Sequence, residues 1–180
     1  MVQSIELLLD AESTERVRAT WTALLEADLP SLAGNTHPSN QPHVTVAVAE
    51  QGLDAAVDAA RAVFAGWDLG GAGLAAVLGA PLLFGGHRGR WVLARQVVVS
   101  RALSAMHSAV HHAVVQAAPR VECAALTAPD AWSPHVTLAR RIEAARLPEA
   151  LGLLDVEPMP VRIAGARFWD SGPKTITPLT

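Results

Sequence analysis

The chain has no tyrosine, one cysteine (Cys123) and one lysine (Lys174) among 180 residues. A single cysteine cannot form an internal disulfide, which excludes a disulfide-stapled scaffold and fits a reducing compartment. Its ordinary reading is a small core residue, ahead of a nucleophile. With lysine nearly absent, arginine carries almost all the positive charge, so an individual arginine is weak evidence of a chosen site. Charged residues make up only 17% of the chain and the net charge is −3. That balance argues against nonspecific DNA or RNA binding, which rests on neutralising phosphates, and leaves room for a small anionic ligand in a local pocket. Met1 to Glu6 has no basic start and carries an acidic residue inside its short apolar run. This is not a secretory-signal pattern, so a cytoplasmic location is expected. Leu69 to Gly86 is an uncharged run of 18 residues, long enough to raise a membrane helix, but it holds six glycines and Pro81. It reads as strand and loop, with no membrane partner expected.

What the chain has in quantity is apolar surface, at 51% of residues. A chain of this length buries roughly two thirds of its unfolded surface, as one domain or two small packed lobes. Periodicity divides it into matching halves. Ser4 to Asp10 reads as a strand, and residues 12 to 27 as a helix with Val17, Trp21, Leu24 and Leu25 on one side and Asp10 or Ser13 as its cap. A loop over 29 to 42 enters a strand from His43 to Ala49; Leu53 to Phe64 repeats at helix period, and 69 to 79 gives a third strand. The second half repeats the order: strand from Trp91 to Val99, Ser100 as N-cap, a helix marked by Leu103, Met106, Val110 and Val114, a proline-bearing loop over 118 to 134, a strand from His135 to Ile142, a helix near 146 to 154 and a strand near 161 to 169. The expectation is an α+β fold of two pseudo-symmetric lobes, a single domain over 1–180 built from a duplicated β-α-β-α-β unit with repeat halves near 1–84 and 85–180.

The same tetrapeptide opens the central strand of each half: Pro42-His43-Val44-Thr45 and Pro134-His135-Val136-Thr137, followed by Val46 and Leu138. Fixed-distance self-similarity marks an internal repeat, and these words contain the side chain that titrates nearest neutral pH. Alternation along a strand puts His43 and Thr45 on one face, and likewise His135 and Thr137, while the valines turn the other way. A two-fold arrangement of the lobes would face one pair toward the other across a central cleft.

These residues resemble the 2H phosphoesterase family, defined by two His-x-Thr or His-x-Ser motifs and including 2′-5′ RNA ligase-like proteins and cyclic nucleotide phosphodiesterases. The likeness covers almost the whole chain. It implies antiparallel-rich sheets flanking the cleft and metal-independent chemistry at a phosphodiester, often a 2′,3′-cyclic phosphate, with no cofactor. The partner implied is a nucleotide or RNA-end cyclic phosphate, and a monomer is the default. Two imidazoles can share the work, one neutral and basic, the other protonated and acidic, in an order the sequence leaves open. Thr45 and Thr137 are the candidate donors to nonbridging oxygens. Ligation and hydrolysis use the same groups. A protein of this fold that binds a nucleotide without turnover is the alternative.

Other residues carry weaker signals. Trp132, on the loop entering the second motif, is a candidate base-stacking platform, with core packing an equal reading. Gly85-Gly86-His87-Arg88-Gly89-Arg90 lacks the lysine and the following helix of a phosphate cradle and reads as a hairpin turn, from which Arg88 and Arg90 are candidate phosphate contacts. Arg141 shares strand parity with His135. His107 and His111 have the i, i+4 spacing of a zinc pair, which would make a metal hydrolase, but Ser108 stands where a catalytic Glu would be; boundary or surface histidines are the simpler reading.

Overall fold

Asp10 accepts a hydrogen bond from the backbone N–H of Ser13 at 2.8 Å, and Ser100 accepts one from that of Leu103 at 3.1 Å. Each side-chain oxygen satisfies an orphan donor and so starts the long helix of its half. The structure, a computed structural model describing all 180 residues, runs β1 (Gln3–Leu9), α1 (Ala11–Glu26), β2 (His43–Ala49), α2 (Val57–Ala65), β3 (Leu74–Gly85), β4 (Arg90–Val97), α3 (Arg101–Ala117), β5 (His135–Glu143), α4 (Leu147–Gly152), β6 (Met159–Asp170) and β7 (Thr175–Pro178). Both motif strands begin at their histidine.

The fold is mixed α+β, with seven antiparallel strands in the hydrogen-bonded order β2-β1-β6-β3-β4-β5 and β7 on β6. The repeat in sequence is not kept apart in space. The third strand of each half crosses over: β6 completes the first motif's sheet by pairing with β1, and β3 completes the second's by pairing with β4. Pairing of Leu74–Leu78 with Ile163–Met159 then joins the two sets. The ends of the path, β2 and β5, come close together without pairing. The helices are exchanged too, α1 packing on β5 and α3 on β2. One contiguous core results, in which Val17, Trp21 and Leu24 of α1 are buried, whereas Leu25, part of that stripe by periodicity, is 49% exposed.

In each motif strand the residue after the threonine is an extra one. Ile5 and Glu6 are consecutive but pair with Ala47 and Thr45; Leu93 and Ala94 pair with Ala139 and Thr137. Val46 and Leu138 are therefore β-bulges at equivalent places, which re-aim the strand beside the motif. Both are buried, at 0% and 1% exposure, which explains the aliphatic residue at that position. The bulge also breaks the alternation by which Arg141 would share the face of His135. Arg141 adopts a left-handed φ of 66°, and Arg140 and Arg141 are both exposed.

Candidate active site

The first motif histidine holds its Nδ1 2.7 Å from the carbonyl of Gln41, and the second holds its Nδ1 2.8 Å from the carbonyl of Ser133. A carbonyl only accepts, so Nδ1 carries the hydrogen in both rings and Nε2 is left as the nitrogen that can meet a ligand. The proline between each histidine and its acceptor has a fixed φ and disfavours helical backbone at the residue before it, which stiffens the link. Thr45 and Thr137 are half-buried beside them. Their main-chain carbonyls are taken by indoles: Trp132 Nε1–H donates to Thr45 at 2.9 Å, and Trp21 Nε1–H donates to Thr137 at 3.1 Å. Each tryptophan comes from the half opposite the motif it holds.

The two histidines sit in different surroundings. Beside His43 Nε2, at 3.6 Å, is Oε1 of Glu6, a carboxylate whose side chain is 5% exposed. Glu6 accepts from the Ser4 hydroxyl at 2.7 Å and from Arg167 Nε at 2.7 Å. His135 instead packs against Phe84, ring centroids 4.6 Å apart and planes inclined by 42°. A cavity of about 370 Å³ is lined in part by Leu8, Gln41, Gly165 and Arg167, and neither motif histidine lines it.

A model of the 2′-5′ RNA ligase superfamily matches residues 12–174, which span both motifs. The chain belongs to that superfamily. Its members include the phosphoesterases of the 2H class, so family and fold together support a phosphoesterase or ligase-like function. Solved structures carry the same fold. The PDE domain of MHV ns2 is 18% identical, with 93% of this chain and 96% of that chain covered and a TM-score of 0.57. Usb1 of Kluyveromyces marxianus, solved with uridine monophosphate, is 13% identical over 99% of this chain and 97% of that chain, with a TM-score of 0.56. No curated protein sequence matches.

Trp132 lies flat on His107, centroids 3.8 Å apart and planes 3° from parallel, so one ring face and the N–H are already engaged. Arg88 and Arg90 occupy the β3–β4 turn as expected and are exposed. Strand register sets Arg90 opposite Glu143 and Gln96 opposite His135, while Phe84, just before the turn, packs on the His135 ring. No helix is long and apolar enough to cross a membrane.

His107 is 2% exposed, not at a boundary. Its Nε2 lies 3.2 Å from the carbonyl of Val46 and 3.1 Å from that of Thr127, so Nε2 is a shared donor, engaged with backbone and not free for a metal. Burial pushes its pKa down, opposed by those two backbone hydrogen bonds, with His111 adding to the decrease. Buried His107 and half-buried Trp132 thus form a stack against the first motif strand, bonding the carbonyls of Val46 and Thr45. What sequence reasoning misses is the buried carboxylate and guanidinium beside His43. The available signal is Glu6 in an aliphatic strand and Arg167 in another, charges where alternation calls for neither.

Proposed function

We propose that this chain opens 2′,3′-cyclic phosphates, or related phosphodiesters of RNA ends or nucleotides, by acid–base catalysis between His43 and His135. The observation that carries the proposal is the matched anchoring of both rings, each with Nδ1–H tied to the carbonyl two residues upstream, so that both present Nε2. In the reaction one Nε2 takes a proton from water as its oxygen bonds to phosphorus. The other gives its proton to the ribose oxygen as the P–O bond breaks, and a phosphomonoester results. The hydroxyls of Thr45 and Thr137 donate to the nonbridging oxygens as their charge rises. Imidazolium and hydroxyl donors then supply the stabilisation for which a metal is otherwise used. Ligation would use the same groups with a 5′-hydroxyl in place of water: its oxygen bonds to phosphorus as the P–O bond to the ribose oxygen breaks.

The two rings differ in surroundings, His43 standing beside the Arg167-paired carboxylate of Glu6 and His135 against Phe84, and either order of acid and base uses the same two Nε2 atoms. A nucleotide as ligand is supported by the Usb1 structure that holds uridine monophosphate.

The test is a product-resolved assay of nucleoside 2′,3′-cyclic phosphates with excess chelator, separating 2′- from 3′-phosphate products. Turnover is expected to persist with chelator and to fall about 10²–10⁴-fold in His43→Ala and in His135→Ala, the usual worth of a general acid or base. Full activity in both folded variants overturns the assignment; binding without any product identifies a ligand-holding protein.

A further inference from the structure

Arg167 is 3% exposed and stands at the meeting point of everything that holds His43. Its Nε donates to Glu6 Oε2 at 2.7 Å, and the other oxygen of that carboxylate lies 3.6 Å from His43 Nε2. One Nη donates to the carbonyl of Ser39 at 2.8 Å, and the other reaches Gln41 Oε1 at 3.5 Å. Gln41 is the residue whose carbonyl takes His43 Nδ1–H. A single guanidinium therefore holds the carboxylate beside one ring nitrogen and, through the Ser39 carbonyl and the Gln41 side chain, the loop whose Gln41 carbonyl meets the other.

The fold does not require this pair, and the molecule contains its own comparison. In the first sheet Glu6 pairs with Thr45 on one side and Arg167 on the other. In the second, Ala94 pairs with Thr137 and with Leu82. The same register, opposite the same threonine, is filled by Leu82 and Ala94, an apolar pair in an equivalent sheet. Well-packed apolar residues commonly match or exceed the stability of a buried ion pair, because two charges must be desolvated to form it. Stability alone thus gives no reason for a buried Glu and Arg in one half only, and the His43 contacts do.

We propose that Arg167, acting through Glu6 and the Ser39–Gln41 loop, is a positioning residue that holds His43 in its Nδ1–H form with a carboxylate beside Nε2. By occupying one carboxylate oxygen, while Ser4 bonds the other, it keeps Glu6 from capturing the imidazole and leaves Nε2 directed at substrate. The proposal rests on the acid–base reading of His43, but its structural claim can be tested without turnover.

The experiment gives the first half the second half's residues, as the double variant Glu6→Ala/Arg167→Leu, with Arg167→Lys beside it. Imidazole nitrogen NMR of ¹⁵N-labelled protein reads ring states directly, and steady-state kinetics on a cyclic phosphate follow. The double variant is expected to fold with a Tm close to that of the wild type, the apolar pair offsetting the Ser39 carbonyl it leaves unpaired. His43 is expected to lose its single-tautomer pattern while His135 keeps its own, and kcat is expected to fall about 10–100-fold, the usual worth of a partner that orients a functional histidine, with KM little changed. Arg167→Lys, which can meet Glu6 but not the loop acceptors at once, is expected to show an intermediate pattern, and it is the variant read if the double one does not fold. An unchanged His43 pattern overturns the proposal. So does a kcat loss shared with a disturbed His135. Altered His43 rings in a protein inactive at the outset uphold the positioning and reject the reaction.

Discussion

Trp132 donates its indole N–H to the main-chain carbonyl of Thr45 at 2.9 Å, from a loop 87 residues further along the chain. Trp21 makes the reciprocal bond to Thr137 at 3.1 Å, 116 residues away. Both acceptors precede a bulge, where an irregular ladder leaves strand carbonyls in need of another donor. The two halves are thus latched together at the residues proposed to hold phosphate. Trp132→Phe keeps the ring available to His107 and removes only the donor. It is expected to cost about 1–3 kcal/mol for a buried carbonyl left unpaired, measured by denaturant unfolding, and to lower kcat more than KM changes. An unaltered midpoint shows that water satisfies Thr45 instead.

Phe84 supplies the wall against which His135 is set, at a centroid distance of 4.6 Å. It is half-buried, so Phe84→Ala is expected to lose less than about 2 kcal/mol of stability. Its kinetic effect is larger, up to about 10²-fold in kcat, since small misplacements of a reacting group are costly. Phe84→Leu is expected to recover most of the rate. The comparison of kcat across the three proteins decides it; equal rates show that His135 is oriented by Ser133 alone.

Much of this architecture is legible in the amino-acid sequence. Repeated words locate both histidines and both threonines, caps at Asp10 and Ser100 locate the two long helices, and the glycine-rich turn at 85 to 90 locates a hairpin. These are local signals, complete within a few residues. The illegible parts are pairings between distant segments. Nothing near Glu6 announces Arg167, 161 residues away, and nothing in β3 or β6 states that each joins the sheet of the other half. His107 reads as a boundary position because its polar partners, the carbonyls of Val46 and Thr127, come from other segments. The four residues of β7 carry no alternation strong enough to stand out from the tail.

His107 ties stability to pH. Burial holds its pKa in the folded protein below the ordinary imidazole value of 6.5. As pH falls through 6.5 the unfolded chain takes up a proton there and the folded chain does not, so the unfolded state binds more protons and stability declines with falling pH until the folded value is reached. His107→Gln, with an amide donor in place of the ring, is expected to be less stable near pH 7.5 and to show a flatter decline between about pH 6.5 and 5. Denaturant midpoints at stepped pH read this directly. An identical slope in both proteins shows that other groups set the acid limb.

Arg95 is the counterpart that tests the distinction between holding the fold and holding the site. Like Arg167 it is 3% exposed, but its partners are backbone: Gly79 at 2.9 and 2.7 Å, Asp155 at 2.7 Å and Glu157 at 2.7 Å. Burial depresses its pKa, with Asp155 pulling the other way, and an arginine so shifted still keeps its charge. Its guanidinium fastens the segment between α4 and β6 onto the irregular stretch of β3 and bonds no motif residue, although its backbone lies opposite Val136. Arg95→Met is therefore expected to lose about 1–3 kcal/mol for each carbonyl left unpaired, while the folded fraction keeps wild-type kcat and an unchanged His43 ring. The apolar replacement at positions 6 and 167 is expected to do the reverse, sparing Tm and lowering kcat. Running both variants through the same melting and turnover measurements separates the roles: a rate loss in Arg95→Met at full folding, or a collapse of Tm in Glu6→Ala/Arg167→Leu, would show that the two buried arginines do the same job.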